Sequence, residues 1–335
     1  MLQVLSCGFL VADIVVAGLD RIAAPGEVVF APQGIRLAVG GHPANIAVDL
    51  VKLGVNPGEI GVSGAVGNDV FGKFIEQTLR SYGLKLYIER IEASTNKNVI
   101  LVVKGEDRRF HVELGASRLF SPQTVLRLLE ETQPRIFYLA SGILDRIDEK
   151  IEEIFRKAEE TGALTFADIV TPHGKQWNYI IHALKHVHIF HCNETEAKAL
   201  TNTPSLDLAI TKILGWGVKL VLVTRGSRGA VAATKRLKIT QRGYSVEVVD
   251  ATGAGDAFCA GIIHELLRRK TGREALASQE ADQLAKMLLY AQAVGASACT
   301  APGTTEGVSS QKVENLIKTQ GDSLLSDTTI KLVNE

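Results

Sequence analysis

Val248-Val249-Asp250-Ala251-Thr252-Gly253-Ala254-Gly255-Asp256-Ala257-Phe258-Cys259-Ala260-Gly261 is the stretch on which the reading of this 335-residue chain turns. Gly253, Ala254 and Gly255 carry little or no side chain, so the backbone there passes close to a ligand and aims its N–H groups at one point. The run 257–269 reads as a helix, which puts those N–H groups at a helix N-terminus, where anions are favoured. A carboxylate, Asp256, stands between cradle and helix. Beside a bound phosphate an acid raises the energy of the complex unless it has a task, and taking the proton from a hydroxyl that attacks phosphorus is such a task. The competing reading is a glycine-rich strand-to-helix turn with an acidic helix cap.

Three more elements lie upstream. Gly40-Gly41-His42-Pro43-Ala44-Asn45-Ile46-Ala47, followed by Leu53-Gly54 and Gly64, is a second glycine-rich entry to a helix. Pro43 suits a helix start and Asn45 brings both a donor and an acceptor. Asn193-Glu194-Thr195-Glu196 follows the apolar run 188–192 at a strand-to-helix junction, where polar groups suit a ligand and acids also stabilise the helix start. Val221-Leu222-Val223-Thr224-Arg225-Gly226-Ser227-Arg228-Gly229 is a strand that ends in a glycine turn and returns through 230–233.

Around these motifs, strands are expected at 4–9, 59–65, 136–140, 164–167, 188–192 and 220–224, and helices at 43–53, 70–82, 122–131, 149–161, 194–200 and 205–216. Strand followed by helix, repeated this often, predicts an α/β fold: a central, mostly parallel sheet between helices, with ligands beyond the carboxyl ends of the strands. Two regions break the rhythm. Residues 14–39 are β-rich without a helix, and 97–114 read as two strands joined at Gly105-Glu106-Asp107. They are expected to pair as a small separate sheet, which needs a partner such as the main domain, a substrate or another subunit, the alternative being ordinary edge strands of the main sheet. A helix is expected at 309–318. The organisation predicted is a single domain over residues 1–320, with segments 14–39 and 97–114 inserted as a lid, and a peripheral tail at 321–335.

Composition excludes several classes. Hydrophobic content of 46% supports a large core, and 37 basic against 37 acidic residues leave no global field for nucleic acid or a membrane surface. Cys7, Cys192, Cys259 and Cys299 lie far apart, with neither metal-ligand spacing nor a disulfide framework, and read as buried residues in a reducing compartment. The apolar N-terminus lacks a basic start and contains Asp13, which fits a strand better than a signal peptide or membrane span. A cytoplasmic protein is expected. His173, His182, His186, His188 and His191 crowd together without the spacing of a metal site.

Taken in order, the four motifs resemble those of the ribokinase-like carbohydrate kinases, the PfkB family, from about residue 3 to about 304. The resemblance implies a three-layer ribokinase-like fold with a β lid, and transfer of the ATP γ-phosphoryl group to a hydroxymethyl group of a sugar or sugar-like polyol. By resemblance Asp256 is the base, and the N–H groups of Gly253, Ala254 and Gly255 are the anion hole, in keeping with a reaction catalysed by positioning and electrostatics. Asn193 and Glu196 match a motif for phosphate and magnesium placement, Glu196 acting on magnesium through water. Thr224, Gly226 and Gly229 match the nucleotide-binding turn, and Gln292 stands where several relatives place an Asn near the adenine. Backbone carbonyls of Asp250 and Thr252, with 296–303, match the loop that holds potassium in several members. Asp13, Gly41, Asn45 and Asp168 are the implied substrate-binding residues. A lid of this kind excludes water, and two such lids pairing implies a homodimer.

The chain departs from the family in places. Val11 stands two residues before Asp13 where ribokinase-type members carry Asn, and His42-Pro43 replaces Lys-Gly, which argues against ribose itself. After Asp168, Val170 and Pro172 replace the Asn and Arg that fructokinase and ketodeoxygluconate-kinase relatives often carry before a Trp, which argues against an acidic sugar that needs an Arg clamp. His42 either faces the substrate or is an ordinary polar residue at a helix start, and Trp177 either stacks on a sugar or packs in the core. Two other functions compete: a nucleoside kinase, with Phe110 and Ile100 against the base, and a catalytically silent sugar-responsive regulator, against which the intact cradle and Asp256 argue.

Overall fold

Apolar strands buried on both faces build the main sheet of this protein, whose computed structural model describes residues 2–106 and 108–333. Asp107 of the expected lid turn and the last two residues of the expected tail lie outside the described residues. The strands in chain order are β1 (Val4–Cys7), β2 (Val11–Leu19), β3 (Ile35–Gly40), β4 (Ile60–Gly67), β5 (Lys85–Ile91), β6 (Asn96–Val103) and β7 (Arg109–Glu113). They continue with β8 (Ile136–Ser141), β9 (Leu164–Ile169), β10 (Ile189–Asn193), β11 (Leu220–Thr224), β12 (Ala230–Ala233), β13 (Leu237–Gln241) and β14 (Thr329–Leu332). The helices are α1 (His42–Lys52), α2 (Val70–Ser81), α3 (Pro122–Thr132), α4 (Asp145–Glu149), α5 (Ile151–Glu160), α6 (Glu194–Thr201), α7 (Leu206–Gly215), α8 (Ala254–Arg268), α9 (Ala281–Ala298) and α10 (Ser310–Ser326).

The main sheet runs β14-β13-β12-β11-β10-β9-β8-β1-β4-β5. Every pairing from β5 to β11 is parallel, and the β12–β14 edge is antiparallel. β1 lies between β4 and β8, so the chain winds first one way and then the other. The crevice beyond the carboxyl end of β1 is therefore the switch point where ligands collect in such sheets.

Alternation along the strands forms the layers. Leu5, Phe137, Leu139, Val221 and Val223 pack on α3, α5, α6 and α7, whereas Val4, Ile136, Tyr138, Leu220 and Leu222 pack on α1, α2, α8 and α9. Trp177, in a 3-10 segment, packs partly buried against the first of these cores.

The small sheet has the order β3-β2-β6-β7, antiparallel at β2–β3 and β6–β7 and parallel at β2–β6. Register puts Asp13, Asn98 and Val112 in one row across it, and Val15, Ile100 and Phe110 in the next row on the same face. The strand expected at 4–9 stops at Cys7, and the lid sheet already begins at Val11. The helix expected at 309–318 runs on to Ser326, and β14 pairs with β13. α9 has no amphipathic stripe to announce it, because it is buried along most of its length.

Candidate active site

α8 begins at Gly253, whose φ of 78° is left-handed and whose absent Cβ would collide with the Thr304 carbonyl. Asp256 follows in the first turn, buried, and does not cap the helix: the cap position is Gly253, with no side-chain cap bond. The carboxylate instead meets α1, where Asn45 Nδ2 donates to Oδ2 at 2.7 Å and His42 Nε2 lies 3.6 Å from Oδ1. Burial raises the proton affinity of Asp256, and His42 and the Asn45 hydrogen bond oppose that rise.

α1 enters the crevice through Gly41, with φ of 94°; a Cβ there would collide with the Phe9 carbonyl oxygen. Pro43 sits in the first turn, and His42 and Asn45, three residues apart, share the face toward α8. Asp13, buried on β2, accepts from Asn98 Nδ2 at 3.1 Å. Burial pushes its carboxyl up to about 7, with Asp250, Asp256 and Glu306 adding to the rise against the Asn98 hydrogen bond. Asn45 Oδ1, Asn98 Oδ1 and His42 Nδ1 are buried without a protein partner. Orphaned polar atoms crowded beside a carboxylate suit the hydroxyl groups of a ligand.

Asp168 lies one step deeper, with both oxygens engaged: Tyr138 OH donates at 2.8 Å, the Ile169 N–H at 2.8 Å, and His191 Nδ1 lies at 3.0 Å. Burial would raise this carboxyl, but His191 holds it below the ordinary value. His191 also reaches Thr224 Oγ1 at 3.3 Å, tying β9 to the nucleotide turn. Of the other crowded histidines, His186 pairs with Glu159 and His188 with Thr165.

On the far side of the α8 N-terminus lies a cavity of about 540 Å³, whose walls include Thr224, Gly226, Gly229, Ala254, Gly255 and Gln292. Tyr244, Val246 and Val248 add apolar lining. Gln292 is anchored by donating to Gln241 at 3.0 Å and keeps a buried Oε1 without a partner, an acceptor suited to an exocyclic amine. The dimensions and the glycine-lined phosphate end fit a nucleotide. The turn 225–229 is tethered by Glu194, which pairs with Arg225 at 3.2 Å and Arg228 at 2.8 Å. Asn193 and Glu196 form a reciprocal capping box at α6, with bonds of 2.9 and 2.8 Å. Asp250 staples the loop before the cradle, accepting from the Thr252 and Gly303 N–H groups and from Arg108 at 2.8 Å; Arg108 also donates to Thr252 Oγ1.

The structure thus brings Asp13, Gly41, Asn45 and Asp256 together on one side of α8, and Thr224, Gly226, Gly229 and Gln292 on the other. Sequence reading missed Asn98, Arg108, His191 and Glu194, and left His42 undecided. Asn98 arrives on β6 and Arg108 just before β7, neither with a local motif, whereas the acid at the glycine-turn tether, Glu194, was visible within Asn193–Glu196 only as a spacer.

Orphaned polar atoms beside Asp256 and a glycine-walled cavity at the same helix N-terminus suit a small-molecule phosphotransferase. Residues 1–311 match the pfkB family carbohydrate kinase, and the chain belongs to that family of ATP-dependent sugar kinases. It is 28% identical over 256 residues to an ATP-dependent 6-phosphofructokinase of Thermoanaerobacterium thermosaccharolyticum, covering 71% of this chain and 75% of the relative. It is 29% identical over 277 residues to an aminoimidazole riboside kinase of Salmonella typhimurium, covering 79% and 82%. The fold superposes with a TM-score of 0.81, at 23% identity, on a fructokinase with bound ATP from Xylella fastidiosa, over 96% of this chain and 100% of the other. No helix among the described residues is long and apolar enough to cross a membrane.

Proposed function

We propose that this protein transfers the γ-phosphoryl group of ATP to a hydroxymethyl group of a small sugar or sugar-like polyol, with Asp256 as the general base. The observation that carries this reading is the place of Asp256. Its carboxylate faces Asn45 and His42, while Ala254 and Gly255, the residues just before it, line the nucleotide-sized cavity. Asp13, Asn98 and Asn45 hold the sugar hydroxyls, Asp256 takes the proton of the attacking one, and the N–H groups of 253–255 meet the charge that develops on the transferred group. Glu196 is our candidate to hold magnesium through water, beyond its work in the capping box; bound there, the ion would neutralise phosphate charge. Asp250–Thr252 lies against 296–303, with the Cys299 carbonyl accepting from Val249 and Asp250, which supports a carbonyl-bound potassium ion as a further proposal.

A second reading, a nucleoside acceptor, draws on one observation: Phe110, 48% exposed, shares the sheet face that carries Asp13 and Asn98. Ile100 is less suited, being buried against Val15 and Ala17 in the lid's own core. Turnover with a panel of pentoses, hexoses, polyols and nucleosides separates the two. The test of the base is Asp256→Asn, which should leave folding and ATP binding intact while kcat falls by at least about 100-fold. Near-normal kcat in that variant refutes the role. The four cysteines, free and mostly buried, support a cytoplasmic location, and a homodimer through the lid completes the proposal.

A further inference from the structure

Asp256 is crowded by acids. Asp168 from β9 and Asp13 from β2 act on it or feel its charge, as does buried Asp49 on α1, and the phosphates of a bound nucleotide would add to them. A base in that setting tends to keep its proton and so lose its function. Two groups on the first turn of α1 work against this. Asn45 occupies Oδ2 at 2.7 Å, and the His42 imidazole stands with Nε2 3.6 Å from Oδ1. The ring is set edge-on to Phe9, with centroids 5.1 Å apart, and remains 20% exposed. Three carboxylates face it, Asp256 from α8, Asp168 from β9 and Glu196 from α6, and His191 from β10 is the other imidazole acting on Asp256.

We propose that His42 is a positioning residue for Asp256, holding the base in its ionised, proton-accepting form and leaving Oδ1 as the oxygen that meets the substrate hydroxyl. This rests on the reading of Asp256 as the base. Among the groups that offset the burial of Asp256, His42 contributes most, ahead of the Asn45 hydrogen bond.

The experiment is kcat against pH at saturating sugar, which keeps the titration of free Asp13 out of the profile, for His42→Phe, His42→Gln and His42→Lys. Melting temperature and ATP binding are measured alongside. In the Phe and Gln variants the acid limb should move up by on the order of one pH unit, with kcat down about tenfold at pH values below the wild-type limb and converging on the wild-type value toward pH 9. The Lys variant should bring the acid limb back, separating charge from mere filling of space. An unchanged acid limb in folded, ATP-binding variants overturns the proposal, and so does an equal loss at every pH, which marks a purely structural role. If the Phe variant does not fold, the Gln and Lys variants carry the test. Loss of activity in Asp256→Asn together with an unmoved acid limb in the His42 series defeats this inference alone, whereas a near-normal Asp256→Asn defeats the base itself.

Discussion

Asp13 shows how much a single burial decides. Fully enclosed by the lid and its neighbours, its carboxyl is pushed up to about 7, so near neutrality it is only partly ionised. The protonated form donates one hydrogen bond where the carboxylate accepts several, so a sugar hydroxyl held there, as proposed, loses an acceptor as pH falls. The KM for sugar should therefore fall as pH rises through about 7, while the KM for ATP stays flat. Asp13→Asn should raise the sugar KM by about tenfold or more at pH 8 and abolish its pH dependence, the scale of one hydrogen bond to a charged group. Steady-state kinetics from pH 5.5 to 9 check this, and an Asn variant with the same pH-dependent KM sinks it. At this scale Asp256 and Asn45 were legible because each sits in a glycine-rich motif at a helix start, a setting that suits a ligand. Asn98 was not, since it meets Asp13 across 85 residues of chain by strand pairing, and an isolated Asn carries no sign of its partner.

Among the elements, α1 carries a cost as well as a function. Asp49, in its third turn, is fully buried and neither oxygen has a hydrogen-bond partner. Burial, with the charge of Asp256 adding, raises its pKa well above the ordinary 3.8, against the pull of Lys52. The folded protein thus keeps a proton that the unfolded chain gives up, so stability is lost as pH rises from about 3.8 toward the folded-state value. Asp49→Asn should remove this slope and stabilise the protein, with a gain growing by about 1.4 kcal/mol per pH unit across that window. Urea unfolding at pH 5, 6 and 7 measures it; a variant with the wild-type slope refutes it. Most helices and central strands were legible from their period. β5 and α9 were not: β5 is a half-exposed edge strand with a mixed pattern, and α9 is buried along most of its length.

For the whole molecule, the lid leaves apolar surface in water. Ile35 and Leu37 on β3, Phe110 and Val112 on β7, and Val28 and Phe30 in the connection before β3 are all exposed. Four strands alone seldom leave so much uncovered, which favours burial against the lid of a second copy. Sedimentation should report a dimer, and Phe30→Ser with Ile35→Ser should shift it toward monomer while leaving the main-sheet core intact. A monomeric wild-type chain at micromolar concentration refutes the dimer.

Legible from the chain alone were the layered α/β fold, a small sheet apart from it, the family, and the helix that presents Asp256. Each of these rests on local period or on glycines whose backbone geometry leaves few alternatives. The surroundings of that carboxylate, with Asn45 on one oxygen, His42 beside the other and Asp168 close enough to act on it, came from the folded chain, as did the pairing of Asn98 with Asp13. Those relations depend on strand order and helix packing between segments as far as 211 residues apart, and burial and charge, which set the proton affinities, exist only once they are assembled.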